Sequence, residues 1–168
     1  MTKSKQPYPT ELNDTQWSKI RPYLPAEART GRPREHGWRM ILNGIFYLLQ
    51  SGCSWRMLPH DLPPWKTVYH YFRLWRMNGT WERLNKLIRE KVRLKFGKKR
   101  QSSATILDSQ SIKTSEGGLE CGFDAGKQVT GRKRHSLVDT LGLVVKVIVT
   151  AGNVQDRDGA KFLLKELS

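Results

Sequence analysis

Apolar residues recur along this chain at two different periods, and the period changes once. Up to about Gln101 they return every three or four residues, as in Trp38, Ile41, Leu42, Ile45, Phe46, Leu48 and Leu49, and again in Trp65, Val68, Tyr69, Phe72 and Trp75. That spacing lines up helix faces. Beyond Gln101 they come in short runs, Ile106-Leu107, Leu137-Val138 and Leu143 to Val149, the last being the most β-branched stretch of the chain. Branched side chains fit the pleated surface of a strand, so helices come first and a sheet second. The class is α+β, with a helical region over 1–103 and a sheet region over 104–168.

Within the helical region, Asn13 or Asp14 caps a first helix that carries Trp17, Ile20 and Leu24 and stops at Pro22 and Pro25. Trp38 to Gln50 is the core helix, closed by Ser51-Gly52. Asp61-Leu62-Pro63-Pro64 signals the start of a third, from Trp65 to Met77. Its apolar set occupies one side; Lys66, Thr67, His70, Arg73 and Arg76 point the other way. Three short helices with a basic face on the last form a helix-turn-helix-like layout whose third helix enters the major groove; a solvated face on an ordinary bundle would have the same spacing. Before the core helix, Arg32 and Arg34 lie in a basic loop that reads either as a linker or as an arm on DNA. A fourth helix, capped by Thr80, carries Leu84, Leu87, Ile88, Val92 and Phe96 on one side and ends in the tract Gly97-Lys98-Lys99-Arg100, the expected domain boundary.

Charge separates the same two regions. Residues 1–103 hold 21 Lys and Arg against 7 Asp and Glu, and residues 104–168 hold 9 against 8, within a chain of net charge +15. Basic charge of that density on helices selects a polyanion, with double-stranded DNA the leading partner, because neutralising phosphates releases counterions. A ribosomal or membrane-surface partner would give a similar count. Cys53 and Cys121 have no partners at metal-ligand spacing, which argues against a disulfide framework or a zinc site and for reduced thiols in the cytoplasm. No apolar run reaches membrane-spanning length.

The chemistry centres on Thr105-Ile106-Leu107-Asp108-Ser109. Ile106 and Leu107 read as the end of a buried strand that delivers Asp108 into a polar turn, where Asp either caps its own backbone or binds a hard divalent cation. A strand ending in Asp, two further strands around Ser136–Asp139 and Leu143–Val149, and a helix over Gly159 to Leu167 make an incomplete βββα unit. That is how a ribonuclease-H-like metal nuclease core opens. Lys113 and the run Arg132, Lys133, Arg134 are the cations of this region expected to meet DNA.

The stretches HGWRMILNGIFYLLQSGCSWRMLPHDLPPWKTVYHYFRLW, LDSQSIKT and GRKRHSLVDTLGLVVKVIVTAGNVQDRDGA together resemble bacterial insertion-sequence transposases of the DDE type, in the IS-five-like family. The resemblance covers about residues 8 to 168. It implies a DNA-binding helical domain that recognises element ends. It also implies a ribonuclease-H-like core that holds Mg²⁺ or Mn²⁺ with Asp, Asp and Glu and transfers phosphoryl groups. Asp108 matches the first Asp. The second Asp and the Glu of the family's pattern have no match: Asp156 and Asp158 fall in its helix-start segment, and Asp139 falls outside the triad. The expectation is a truncated or upstream-frame transposase, inactive without a C-terminal part or second protomer. The alternative is a non-catalytic DNA-binding module that inhibits transposition at element ends.

Overall fold

The computed structural model describes residues 6–26, 33–114 and 121–166. Helices precede an antiparallel sheet, which makes the fold α+β as the two periods predict. The chain divides into two compact units, Met1–Leu84 and Asn85–Ser168, and the division falls inside the fourth helix, upstream of the charge boundary at residue 103. Among the described residues no helix is long and apolar enough to cross a membrane.

The first unit is built on α1 (Asp14–Ile20), α2 (Trp38–Ser51), α3 (Trp65–Met77) and the opening turn of α4 (Thr80–Lys95). A capping box starts α1: the Asn13 side chain accepts from the Gln16 amide at 2.8 Å, and Gln16 Oε1 accepts from the Asn13 amide at 3.0 Å. This satisfies two otherwise orphaned donors. In α2, Ile41, Leu42 and Ile45 are at most 1% exposed. The helix closes on Gly52, whose φ of 66° is the left-handed conformation that glycine takes at least cost. Close approach of α2 and α3 needs a second glycine, since a Cβ on Gly44 would lie 3.0 Å from Val68 Cγ2. Trp75 sits in this core at 1% exposure, with Trp38 and Trp81 rings at 5.1 and 5.2 Å. Burying aromatic and aliphatic side chains of this size stabilises by about 1.5–3 kcal/mol each. The predicted stripes are wider than the buried ones: Leu49 is 59% and Tyr69 42% exposed. Thr80 is the first residue of α4 rather than its cap, and Asn78 Oδ1 accepts from its amide at 3.2 Å and its hydroxyl at 2.7 Å.

The second unit contains β1 (Thr105–Lys113), β2 (Gly122–Asp124), β3 (Val129–Asp139), β4 (Val144–Ala151) and α5 (Asp156–Lys165). β3 is central. β1 pairs with it antiparallel along one edge, Asp108 opposite Ser136; β4 and the short β2 share the other edge. Strand residues alternate between faces. Residues 131, 133, 135, 137 and 139 of β3 are all buried, and α5 packs on that side with Gly159 against the His135 ring. The even-numbered residues of β3, with Ile106, Asp108, Gln110 and Ile112 of β1, form the opposite face. This face is open: Ile106 is 60%, Ile112 48%, Val147 39% and Val149 54% exposed.

Four expectations change here. β1 does not stop at Asp108 but continues to Lys113, so Asp108 is a mid-strand residue and not the start of a turn. Ile106 and Leu107 are exposed rather than buried, and Val144–Val149 is covered on one face only, because no described element packs over the other. Phe96, expected on the apolar side of α4, is 64% exposed beyond the helix end. The short strand β2 follows residues 115–120, which lie outside the described ones.

Candidate functional site

In the first unit, four of the five polar residues predicted on α3, Lys66, His70, Arg73 and Arg76, are exposed, and Thr67 is half-buried. Among the described residues none of the three basic side chains Lys66, Arg73 and Arg76 is in an ion pair. Lys66 is the aromatic exception, 5.9 Å from the Trp65 ring. Arg34 stacks on Trp38, with Cζ 3.5 Å from the ring centroid, and lines with His36, Thr67 and Tyr71 a shallow cavity of about 210 Å³. Arg32 lies outside the described residues. Periodicity placed Tyr69 on the packed side and passed over Leu74 and Met77; the three are 42%, 40% and 69% exposed and share a second cavity of about 180 Å³ with His70 and Arg73. The outward face of α3 is therefore basic with apolar patches. The segment 52–64 between α2 and α3 is longer than the 3–4-residue turn of a helix-turn-helix motif.

In the second unit, Asp108 is exposed on the open face, with Ser136 directly across the strand pair and Gln110 two residues along. Arg134 hydrogen-bonds to Gln110 Oε1. Asp139, Asp156 and Asp158 of this unit are committed elsewhere. Asp139 is fully buried on the α5 face, where its Oδ2 accepts from Arg93 Nη1 at 2.7 Å and its Oδ1 from the amides of Leu141 and Leu143 at 2.8 and 3.0 Å. Burial would raise its pKa, but the Arg93 guanidinium and the two amides outweigh it and hold the carboxyl below its usual range. Asp156, at the start of α5, pairs with Lys133 at 3.0 Å, and the Ser109 hydroxyl followed by the Lys133 ammonium lowers its pKa. Asp158 pairs with Lys161.

Lys133 is a correction to the expected DNA-binding set. Its side chain is 6% exposed, and its ammonium donates to Asp124 Oδ2 and Asp156 Oδ1, each at 3.0 Å, and to the Val154 carbonyl at 2.9 Å. Burial acts to lower its pKa; the two carboxylates prevail and raise it. An ammonium has three donors, all of them used, so none is left for a phosphate. Asp124, which no motif singled out, is held far below the usual carboxylate range by the Ser111 hydroxyl at 2.5 Å and by Lys133. Lys113 is exposed at the end of β1, on the same face as Lys133, and Arg132 and Arg134 lie on the face of Asp108.

The residues present do not fit the two-metal site that the resemblance implies. No group of three or more His, Cys, Asp or Glu able to hold a metal occurs among the described residues. On the open face Asp108 is the carboxylate of β1, β3 and β4, and the nearest alternative, Asp139, projects from the opposite face three register positions away.

Residues 12–85 match the family model described as a transposase of the IS4/5 family, and residues 99–168 match that of the transposase DDE domain. The insertion element IS402 uncharacterized 16.2 kDa protein of Burkholderia cepacia is 31% identical over 118 residues, which are 66% of this chain and 78% of that protein. The uncharacterized protein y4sN of Sinorhizobium fredii is 32% identical over 64 residues, 38% of this chain and 51% of its own. No solved structure matches the chain.

Proposed function

Because the chain belongs to the insertion-sequence transposases of the DDE type, we propose that it binds double-stranded DNA at insertion-sequence ends through the outward face of α3. The observation that carries this reading is the row Lys66, His70, Arg73 and Arg76: exposed on one helix, with Lys66, Arg73 and Arg76 in no ion pair among the described residues. Unpaired guanidinium and ammonium groups on a helix face suit phosphate and base edges. The helical part supplies most of the affinity, since it holds nearly all of the excess positive charge. In this reading α3 acts as the DNA-reading helix of a helical domain whose α2–α3 connection is longer than a helix-turn-helix turn, and residues 104–168 open a ribonuclease-H-like core in the cytoplasm.

The test is a titration of the whole chain against a duplex bearing the element's terminal sequence and a shuffled duplex. Affinity falls steeply between about 50 and about 200 mM salt. Arg73→Ala reduces discrimination between the two duplexes by roughly tenfold. An equal loss on both would mark Arg73 as a phosphate contact, and salt-independent binding would overturn the reading.

Among the described residues Asp108 belongs to no group of carboxylates able to hold a metal, which favours a second statement, that these 168 residues alone bind element ends without cutting them and act there as an inhibitor. Catalysis then requires carboxylates from a C-terminal part or a second protomer. A nicking assay with Mg²⁺ or Mn²⁺ decides it: cleavage by the 168 residues, abolished by Asp108→Ala, would sink this statement.

A further inference from the structure

We propose that the free edge of β1 is a self-pairing surface, on which a second copy of this chain adds its own β1 antiparallel, in full register about Ser109. The inference goes beyond the DNA-binding reading and does not depend on it. Among the described strands β1 pairs with β3 alone, and seven of its nine residues are exposed. The Gly152 amide donates to the Gly131 carbonyl and the Asp139 amide to the Leu143 carbonyl, so odd-numbered residues of β3 turn their backbone groups to β4 and even-numbered ones to β1. Each even residue of β3 lies opposite an even residue of β1. The N–H and C=O groups of Thr105, Leu107, Ser109, Ser111 and Lys113 therefore point outward along the edge. The Ser109 carbonyl accepts from Lys127 Nζ at 2.9 Å and keeps a second lone pair.

Among the described strands the sheet has a second free edge, β4, and the two edges differ. β4 carries Lys146 in its interior, and its register against β3 shifts between Leu137 and Val138; a lysine and a bulge both discourage edge-to-edge pairing. β1 has neither device. It runs unshifted from Thr105 to Lys113, contains no proline, and has Asp108 as its one interior charge. Antiparallel pairing about Ser109 sets Ile106 opposite Ile112 of the second copy, Leu107 opposite Ser111, Asp108 opposite Gln110 and Thr105 opposite Lys113. No like charges meet directly, and Ile106 and Ile112, 60% and 48% exposed, cover each other twice. Gln110 is already turned for this role: its Oε1 accepts from Arg134, which leaves its amide N–H groups for the Asp108 carboxylate of the second copy. Pairing occupies both β1 edges, so assembly closes at two copies. Residues 104–168 hold 9 Lys and Arg against 8 Asp and Glu, so net charge in this region does not hold the copies apart.

The experiment is sedimentation equilibrium of the whole chain without DNA over the micromolar range, for the natural chain, Ile106→Lys, and Ile106→Lys combined with Ile112→Glu. Reductant is present, so that the exposed Cys121 forms no disulfide between copies. The natural chain is expected to show a monomer–dimer equilibrium. Each substitution enters the interface twice, so Ile106→Lys weakens the dimer roughly tenfold. The double variant sets a lysine against a glutamate at both positions and strengthens the dimer again at low salt, which a mere loss of apolar surface would not do. A chain that is monomeric throughout leaves this edge to a strand of another sequence and overturns the proposal. A dimer unaffected by Ile106→Lys lies on another surface and overturns it as well. So does a double variant no stronger than the single one, because the register about Ser109 is then wrong. Circular dichroism of each variant confirms that the exposed substitutions leave the fold intact.

Discussion

Arg93 and Asp139 form an ion pair from which water is excluded: Nη1 and Oδ2 are 2.7 Å apart, and the side chains are 4% and 0% exposed. Arg93 Nε also donates to the Lys99 carbonyl at 2.8 Å, and Asp139 closes the β3–β4 turn by accepting from Leu141 and Leu143. One contact therefore ties the end of α4 to a turn of the sheet. It also explains why Asp139 takes no part with Asp108.

Removing one partner strands a buried charge, which costs about 3–5 kcal/mol. Asp139→Ala is expected to lower the stability of the chain by that order in urea denaturation. Asp139 has a folded pKa below its unfolded value near 3.9. Its contribution is therefore fully present above about pH 4 and lost as pH falls through the folded pKa. The natural chain should lose stability in that acid window, and Asp139→Ala should lose less.

Lys133 invites a comparison of its two carboxylates. Asp124 is 9% exposed and Asp156 52%. A half-exposed pair is screened by water and contributes under about 1 kcal/mol, whereas loss of the buried one is costly. Lys133→Met is expected to destabilise by about 3 kcal/mol or more and Asp156→Asn by less than about 1 kcal/mol. Equal melting temperatures for the two variants would show that the buried pair carries no special weight.

His135 is fully buried beneath α5, with Nε2 3.1 Å from Thr150 Oγ1 and, among the described residues, no hydrogen-bond partner at Nδ1. Burial lowers its pKa; Asp156 opposes this, and Lys133 and Lys127 reinforce it. Because the folded pKa lies below the unfolded value of about 6.5, the contribution is present above that pH and lost as pH falls below it. Thermal melts between pH 7 and pH 5 should show a fall in the natural chain that His135→Gln reduces. Packing over the ring supplies an independent check. A Cβ on Gly159 would lie 2.1 Å from His135 Cε1. The helix-propensity gain of Gly to Ala is at most about 1 kcal/mol, less than the 1–3 kcal/mol of a typical overpacking clash. Gly159→Ala is therefore expected to destabilise, with recovery when His135→Ala is added.

The order of helices before sheet, the ends of α1 and α2, and the basic face of α3 were all legible in the residues. Each depends on local spacing: a capping Asn13 three residues before Gln16, Gly52 after an apolar stripe, cations at helical intervals from Lys66 to Arg76. Asp108 was likewise legible as a candidate, through the resemblance of its neighbours to a known family. What remained undecided was the direction in which side chains point once strands pair. A strand of nine or eleven residues has two faces, and nothing local says which one a helix will cover. Register opposite β1 and the packing of α5 put Lys133, His135 and Asp139 inside and left Arg134 and Asp108 outside. Three adjacent basic residues that look equivalent in sequence therefore divide into a buried counterion and two residues of an open face, because burial is a property of the pairing between distant segments and not of the run itself.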